Sequence, residues 1–141
     1  MTHGLLSDLA TCLGQCSAEK ATQIRAQADR VSQALSAAIS LWQAFLGAGK
    51  AEGDKFTAVL WLGSEASKQL HACHLEARAA ADRLAELTGL PFADLMGMTE
   101  ELSVVMAYDA LRAGETVPGR AESAIATMIS RRQALQDAAA S

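Results

Sequence analysis

Two groups of residues in this chain have side chains that can hold a soft metal ion. Cys12 and Cys16 are four residues apart, so on a helix both thiols lie on the same face. His71 and His74 are three residues apart and share a face of another segment. Two thiolates and two imidazoles suit a tetrahedral zinc ion or the softer Cu(I). One hypothesis is therefore a metal-binding or redox-responsive protein that uses Cys12, Cys16, His71 and His74.

The same cysteines also fit an ordinary helical core. Free cysteine is among the most buried residue types and packs like a small hydrophobic residue. Cys73 lies in an apolar stripe with Leu70 and Ala77, whereas His71 is turned about 100° away from Leu70. One helix orientation does not direct all these side chains at one ion. We therefore expect core cysteines, histidines on a polar flank, and no cofactor; zinc or copper belongs to the alternative.

A second candidate feature is an apolar surface at Leu60, Trp61 and Leu62. Three consecutive large apolar residues cover more of a helix circumference than one neighbouring helix hides. Exposed apolar patches mark interaction sites, and tryptophan is enriched at the centres of interfaces. These residues therefore predict a partner-binding surface; a third helix that covers them is the competing interpretation.

The elements that position these residues are visible as apolar stripes with helical spacing. Within residues 18–46 and again within 54–88, apolar residues alternate steps of four and three, as in a heptad seam. A glycine-rich stretch at 47–53 predicts a loop between them, and Gly89 is a stop signal. The pattern predicts a long antiparallel helical hairpin over about 18–46 and 54–88.

Shorter helices are expected to flank the hairpin. A stripe through Leu5 and Leu9 predicts a helix over about 5–15, which breaks near Cys16 because its stripe is out of phase with the next. Ser17 is a good N-cap for the helix that follows. Beyond Gly89 the pattern predicts helices at 91–96 and 99–113, a loop at 114–119 and a helix at about 120–139.

The composition agrees with an all-α helical bundle that forms a single domain over residues 1–141. Aromatic residues make up only 4% of the chain, and there are two prolines. Alanine, which has the highest helix propensity, is abundant, and the β-branched and aromatic runs of a sheet are missing. A chain of this length buries roughly two-thirds of its unfolded surface, so it folds without disulfides or metals.

Charge and hydropathy narrow the partners and the location. The net charge of −4 argues against binding nucleic acid, which favours clustered basic surface. No apolar run approaches about 18 residues, so we expect no transmembrane segment. The N-terminus lacks the pattern of a signal peptide. We expect a cytoplasmic protein with free thiols, and the alanine-rich composition favours a bacterial source.

The sequence carries no catalytic motif that we recognise. It has no Glu-x-x-His pair of a di-iron bundle and no Gly-x-Ser-x-Gly nucleophile turn. We therefore predict a non-enzymatic protein–protein interaction module, such as an adaptor, assembly chaperone or regulatory subunit. The simplest partner is a second copy, as a homodimer. A further alternative is an amphipathic protein that coats a lipid or polymer surface.

The predicted partner-binding surface gives a direct test. We expect Trp61→Glu to convert a dimer into a monomer, because burying an unpaired carboxylate in an interface is costly. Native mass spectrometry measures the subunit count. A dimer mass that is unchanged by Trp61→Glu excludes this surface as the contact between copies.

Overall fold

The computed structural model describes residues 2–52, 65–91 and 117–140. These ranges hold four helices: α1, Thr2–Gln15; α2, Ala18–Glu52; α3, Glu65–Thr88; and α4, Val117–Ala140. No strand occurs within the described ranges, and the predicted all-α class is confirmed. The helices predicted over 91–96 and 99–113 lie beyond the described residues, apart from Pro91, and so do Leu60, Trp61 and Leu62.

The ends of two helices follow the predicted local rules. Cys16 and Ser17 separate α1 from α2, and the Ser17 Oγ accepts a hydrogen bond from the Lys20 backbone N at 3.2 Å. This is an N-cap, which satisfies one of the unpaired amides at the start of a helix. Gly89 ends α3 with a φ of 73°, and its N–H donates to the Ala85 carbonyl at 2.8 Å. The predicted break and the predicted stop are both confirmed.

The loop predicted at 47–53 is wrong for residues 47–52, because α2 continues to Glu52. A glycine inside a helix costs only about 1 kcal/mol relative to alanine, so Gly47 and Gly49 weaken the helix without ending it. Their neighbours Lys50 and Ala51 are good helix formers, and no proline intervenes. With 35 residues, α2 is about 52 Å long.

The last helix also begins earlier than predicted. α4 starts at Val117, so the loop predicted at 114–119 is wrong for residues 117–119. Pro118 lies in the first turn of α4, where a backbone N–H has no acceptor within the helix, so the lack of an N–H on proline costs nothing there. The fixed φ of proline also suits the helix. A proline that looks like a loop residue in the sequence is therefore a helix start.

α2 and α3 pack side by side in opposite directions. Arg30 Nε lies 2.7 Å from Glu76 Oε1, and Lys20, near the start of α2, lines one groove with Thr88, the last residue of α3. Residue numbers rise along α2 as they fall along α3. The predicted antiparallel hairpin is confirmed for the described parts of both helices.

α4 packs on another side of α2, also antiparallel to it, and α1 packs on α4. Arg132 Nη1 donates to Ser36 Oγ at 2.9 Å, and Arg25 Nε donates to the Ala139 carbonyl at 3.0 Å. The Ala139 carbonyl is one of the last four of α4, which have no partner within their own helix. A cation at a helix C-terminus also interacts favourably with the helix dipole.

The core consists of large apolar side chains that all four helices contribute. Its most fully buried members are Leu9, Ile24, Val31, Leu35, Trp42, Leu70, Leu84, Met128 and Leu135. Four of the nine belong to the predicted seam of α2. Burying one such side chain contributes about 1.5–3 kcal/mol.

Two glycines give a matched test of these helix ends. A Cβ added at Gly89 or at Gly14 meets nothing within 4 Å, so only the backbone conformation differs. We expect Gly89→Ala to lower the free energy of unfolding by about 1–2 kcal/mol, because alanine is strained at positive φ. Gly14→Ala, near the end of α1, should raise it by about 0.5 kcal/mol. Urea denaturation measures the free energy of unfolding of both variants. If both substitutions changed it in the same direction, the positive φ assigned to Gly89 would be contradicted.

Candidate functional site

Cys12 and Cys16 line one groove where the end of α1 meets the end of α3. This groove of about 430 Å³ is also lined by Asp8, Lys20 and Thr88, and we call it the dithiol groove. Lys20 enters it from the first turn of α2. The groove therefore gathers two thiols and two opposite charges at the junction of three helices.

The backbone sets the spacing of the two thiols. The Cys16 N–H donates to the Cys12 carbonyl at 3.0 Å, so the pair keeps the four-residue spacing of a helix although Cys16 lies just beyond α1. The Cys16 thiol turns back along α1, because its Sγ lies 3.7 Å from the Leu13 carbonyl. Both side chains are half-buried, and both are free thiols. Two neighbouring soft ligands are thus accessible from one groove.

The two histidines lie elsewhere in the bundle. The rings of His71 and His74 stack with centroids 6.3 Å apart on α3. Thr88, which marks the dithiol groove, is fourteen residues beyond His74, or about 21 Å along the helix. Among the described residues, no group of three or more His, Cys, Asp or Glu side chains could hold a metal ion. The structure therefore does not bring the predicted cysteine and histidine pairs together.

A second groove lies between α2 and α3. Its floor consists of small side chains, and we call it the alanine groove: Ala34, Ala37, Ala72 and Cys73. It measures about 330 Å³ and is bordered by Arg30, Gln33 and Glu76. Small residues leave room for bulky side chains from outside. A groove of this shape can accept an apolar side chain from a partner helix.

Cys73 differs from the other two cysteines in its surroundings. It packs against the core, and burial raises the pKa of its thiol above the ordinary value of 9.0. The thiolate is the reactive and metal-binding form, so a raised pKa disfavours both roles. Cys73 is therefore a packing residue of the alanine groove, in agreement with the expectation of a core cysteine.

A large apolar side chain is exposed on α3, one helical turn from Ala72 of the alanine groove. Leu75 is 51% exposed and lies three residues from Ala72, on the same side of α3. The other large exposed apolar residue in the described part is Ile129 on α4, at 39%. Sequence reasoning missed Leu75 because it lies outside the apolar stripe of α3. The signal that could have revealed Leu75 in the sequence is an isolated leucine on an otherwise polar helix face.

Opposite charges face each other at the edge of the alanine groove. The Arg30–Glu76 hydrogen bond holds the pKa of the Glu76 carboxyl below its ordinary value of 4.5 and raises the pKa of Arg30. Arg30 also donates to Gln27 Oε1 at 2.6 Å, which fixes the guanidinium on α2. This solvent-exposed pair links α2 to α3 across the groove.

Among the described helices, none combines the length and apolar character that crossing a bilayer requires. Comparisons of the chain with protein-family models, curated proteins and solved structures found no match. The two grooves and the residues that line them are therefore the features of the described chain that indicate a function.

The Arg30–Glu76 pair predicts a pH dependence of stability. Because the pKa of Glu76 is lowered in the folded state, its stabilisation is complete above pH 4.5 and is lost as the pH falls through the folded-state pKa. We expect Glu76→Gln to be less stable than the wild type at neutral pH and equally stable in strong acid. Urea denaturation at low salt measures the difference.

A second carboxylate on the same helix serves as the control. Glu86 pairs with Arg83 within α3, so Glu86→Gln removes one charge without affecting a contact between helices. A pH-independent difference between Glu76→Gln and the wild type would contradict the role of the pair.

Proposed function

We propose that this chain is a non-enzymatic, cytoplasmic protein–protein interaction module whose first partner is a second copy of itself. The observation that supports this proposal best is Leu75, a half-exposed leucine one helical turn from Ala72, which lines a groove of small residues. Water-exposed apolar side chains next to an apolar groove favour association. The contact we propose is the face that α2 and α3 share.

The α2–α3 face is complementary to itself. A two-fold dimer requires one surface that carries both halves of every contact. Leu75 is an exposed apolar side chain, and Ala37 and Ala72 line the alanine groove. In a two-fold arrangement the Leu75 side chain of each copy enters the alanine groove of the other. Close packing of this kind resembles the knobs and holes of helical bundles.

The charges at the edge of the groove support the same partner. Arg30 and Glu76 present one positive and one negative group on one face. The two groups pair with each other within one chain, so the edge of the groove is neutral overall and does not repel a second copy.

The size of the face is sufficient for a specific contact. α3 has 24 residues and is about 36 Å long, and two adjacent helices are about 20 Å wide. The face therefore covers about 700 Å², close to the roughly 800 Å² per partner that standard interfaces bury. A homodimer of this kind suits an adaptor, an assembly chaperone or a regulatory subunit, which presents the remaining surface to another protein.

Leu60, Trp61 and Leu62 remain a second proposed partner surface. They follow from the sequence alone and lie outside the described residues. They are candidates for the contact with a different protein, or for the contact between copies if the alanine groove is not used. The two surfaces are distinguished by testing both in one assay.

We expect Leu75→Glu and Ala37→Arg to convert the dimer into a monomer. Leu75→Glu replaces the exposed apolar side chain by a charge, and Ala37→Arg fills the alanine groove that receives it. Both positions are exposed in the isolated chain, so neither change disturbs the core. Native mass spectrometry and sedimentation measure the mass.

Ile129→Glu is the matched control, because Ile129 is the comparable exposed residue on α4. It should leave the dimer intact. A monomeric wild type at every concentration would refute self-association, and a dimer that withstands both groove variants but not Trp61→Glu would move the contact to Leu60–Leu62.

A further inference from the structure

We propose that Cys12 and Cys16 form a two-thiolate site for Cu(I) in the dithiol groove. This inference is independent of the dimer proposed above. It depends on the placement of the two thiols, on the charges around them and on the separation of this groove from the histidines. Each of these observations favours a soft ion held by two ligands.

The helical spacing of the pair suits an ion better than a disulfide. Side chains four residues apart on a helix have Cβ atoms about 5–6 Å apart, whereas a disulfide requires about 3.5–4.5 Å. The Cys16–Cys12 backbone hydrogen bond maintains this spacing. An ion between the two sulfurs adds two metal–sulfur bonds, each longer than the single S–S bond of about 2 Å that a disulfide would have to use. The pair can therefore bind one ion without unwinding the end of α1.

The number of ligands selects the metal. Structural zinc takes four ligands, and the histidines that would complete such a site lie about 21 Å or more along α3 from the groove. Soft thiolates suit both zinc and Cu(I), but of these two ions only Cu(I) is stable with two sulfur ligands in line. Asp8 also lines the groove, but among the described residues no third His, Cys, Asp or Glu is placed to join the two thiols around one ion, which suits Cu(I) and not zinc.

Binding releases protons and leaves a small net charge. Two thiols each lose one proton to solvent, and one Cu⁺ joins the two thiolates, so the site changes by one negative charge. Lys20 lies on the groove and offsets this charge, although Asp8 opposes it. Cys16 also immediately precedes the capped N-terminus of α2, whose helix dipole favours negative charge, although its Sγ turns towards the Leu13 carbonyl at the end of α1.

The experiment uses the full-length protein under anaerobic, reducing conditions. Cu(I) is supplied as its coloured complex with bicinchoninate, and transfer to the protein is followed by the loss of visible absorbance. Native mass spectrometry counts the bound ions. We expect one Cu(I) per wild-type chain and loss of this binding in Cys12→Ser and in Cys16→Ser.

Cys73→Ser is the matched control, since Cys73 is also a half-buried free thiol but lies in the other groove. It should bind Cu(I) like the wild type, and circular dichroism should show unchanged helicity in all three variants. No transfer to the wild type overturns the proposal, and so does full binding by the Cys12→Ser/Cys16→Ser double variant. Equal uptake of zinc by the wild type overturns the assignment to Cu(I).

The outcome is separable from that of the proposed dimer. Leu75→Glu should still bind Cu(I) as a monomer, and the cysteine variants should retain the dimer mass. Failure of one proposal therefore leaves the other standing.

Discussion

The burial of one broad side of α2 is the interaction on which the other helices depend. Ile24, Val31, Leu35 and Trp42 are almost completely removed from water. Their burial contributes about 1.5–3 kcal/mol each, whereas the net stability of a whole domain is about 5–15 kcal/mol. Both α3 and α4 pack on this helix. The seam of α2 therefore determines where two other helices can lie.

The two sides of α2 have different chemistry: the side towards α4 fixes the packing of the helices, and the side towards α3 carries the proposed binding surface. Towards α4, Arg132 and Ser36 form a hydrogen bond in a partly buried setting, which fixes the register of the two helices. Towards α3, the contact at the surface includes small apolar side chains and the exposed Arg30–Glu76 ion pair. Polar groups with partners within the chain have little need of an outside partner. The small side chains of the alanine groove, in contrast, leave room for a side chain of an outside partner.

Local rules account for what could be predicted from the sequence. The heptad seam, the cap at Ser17 and the stop at Gly89 depend on neighbours in the chain. The extension of α2 through Gly47 and Gly49 was missed, because two glycines weaken a helix without the strict effect of an internal proline. The placement of the cysteines and histidines depends on which helix ends meet. Spacing along the chain defines each pair, but not the distance between the pairs.

The two grooves can act independently because the helices hold them apart. Cys73 in the alanine groove and Thr88 in the dithiol groove are fifteen residues apart on α3, or about 22 Å along its axis. Substitutions more than about 7–10 Å apart with no shared partners have nearly additive effects. Coupling between the grooves would require α3 itself to shift along α2. The buried core residue Leu70 lies one turn from Cys73, and the buried core residue Leu84 lies one turn from Thr88. A shift of α3 would therefore expose apolar surface near each groove. A rigid α3 thus favours one chain with two separate binding surfaces over a switch that links them.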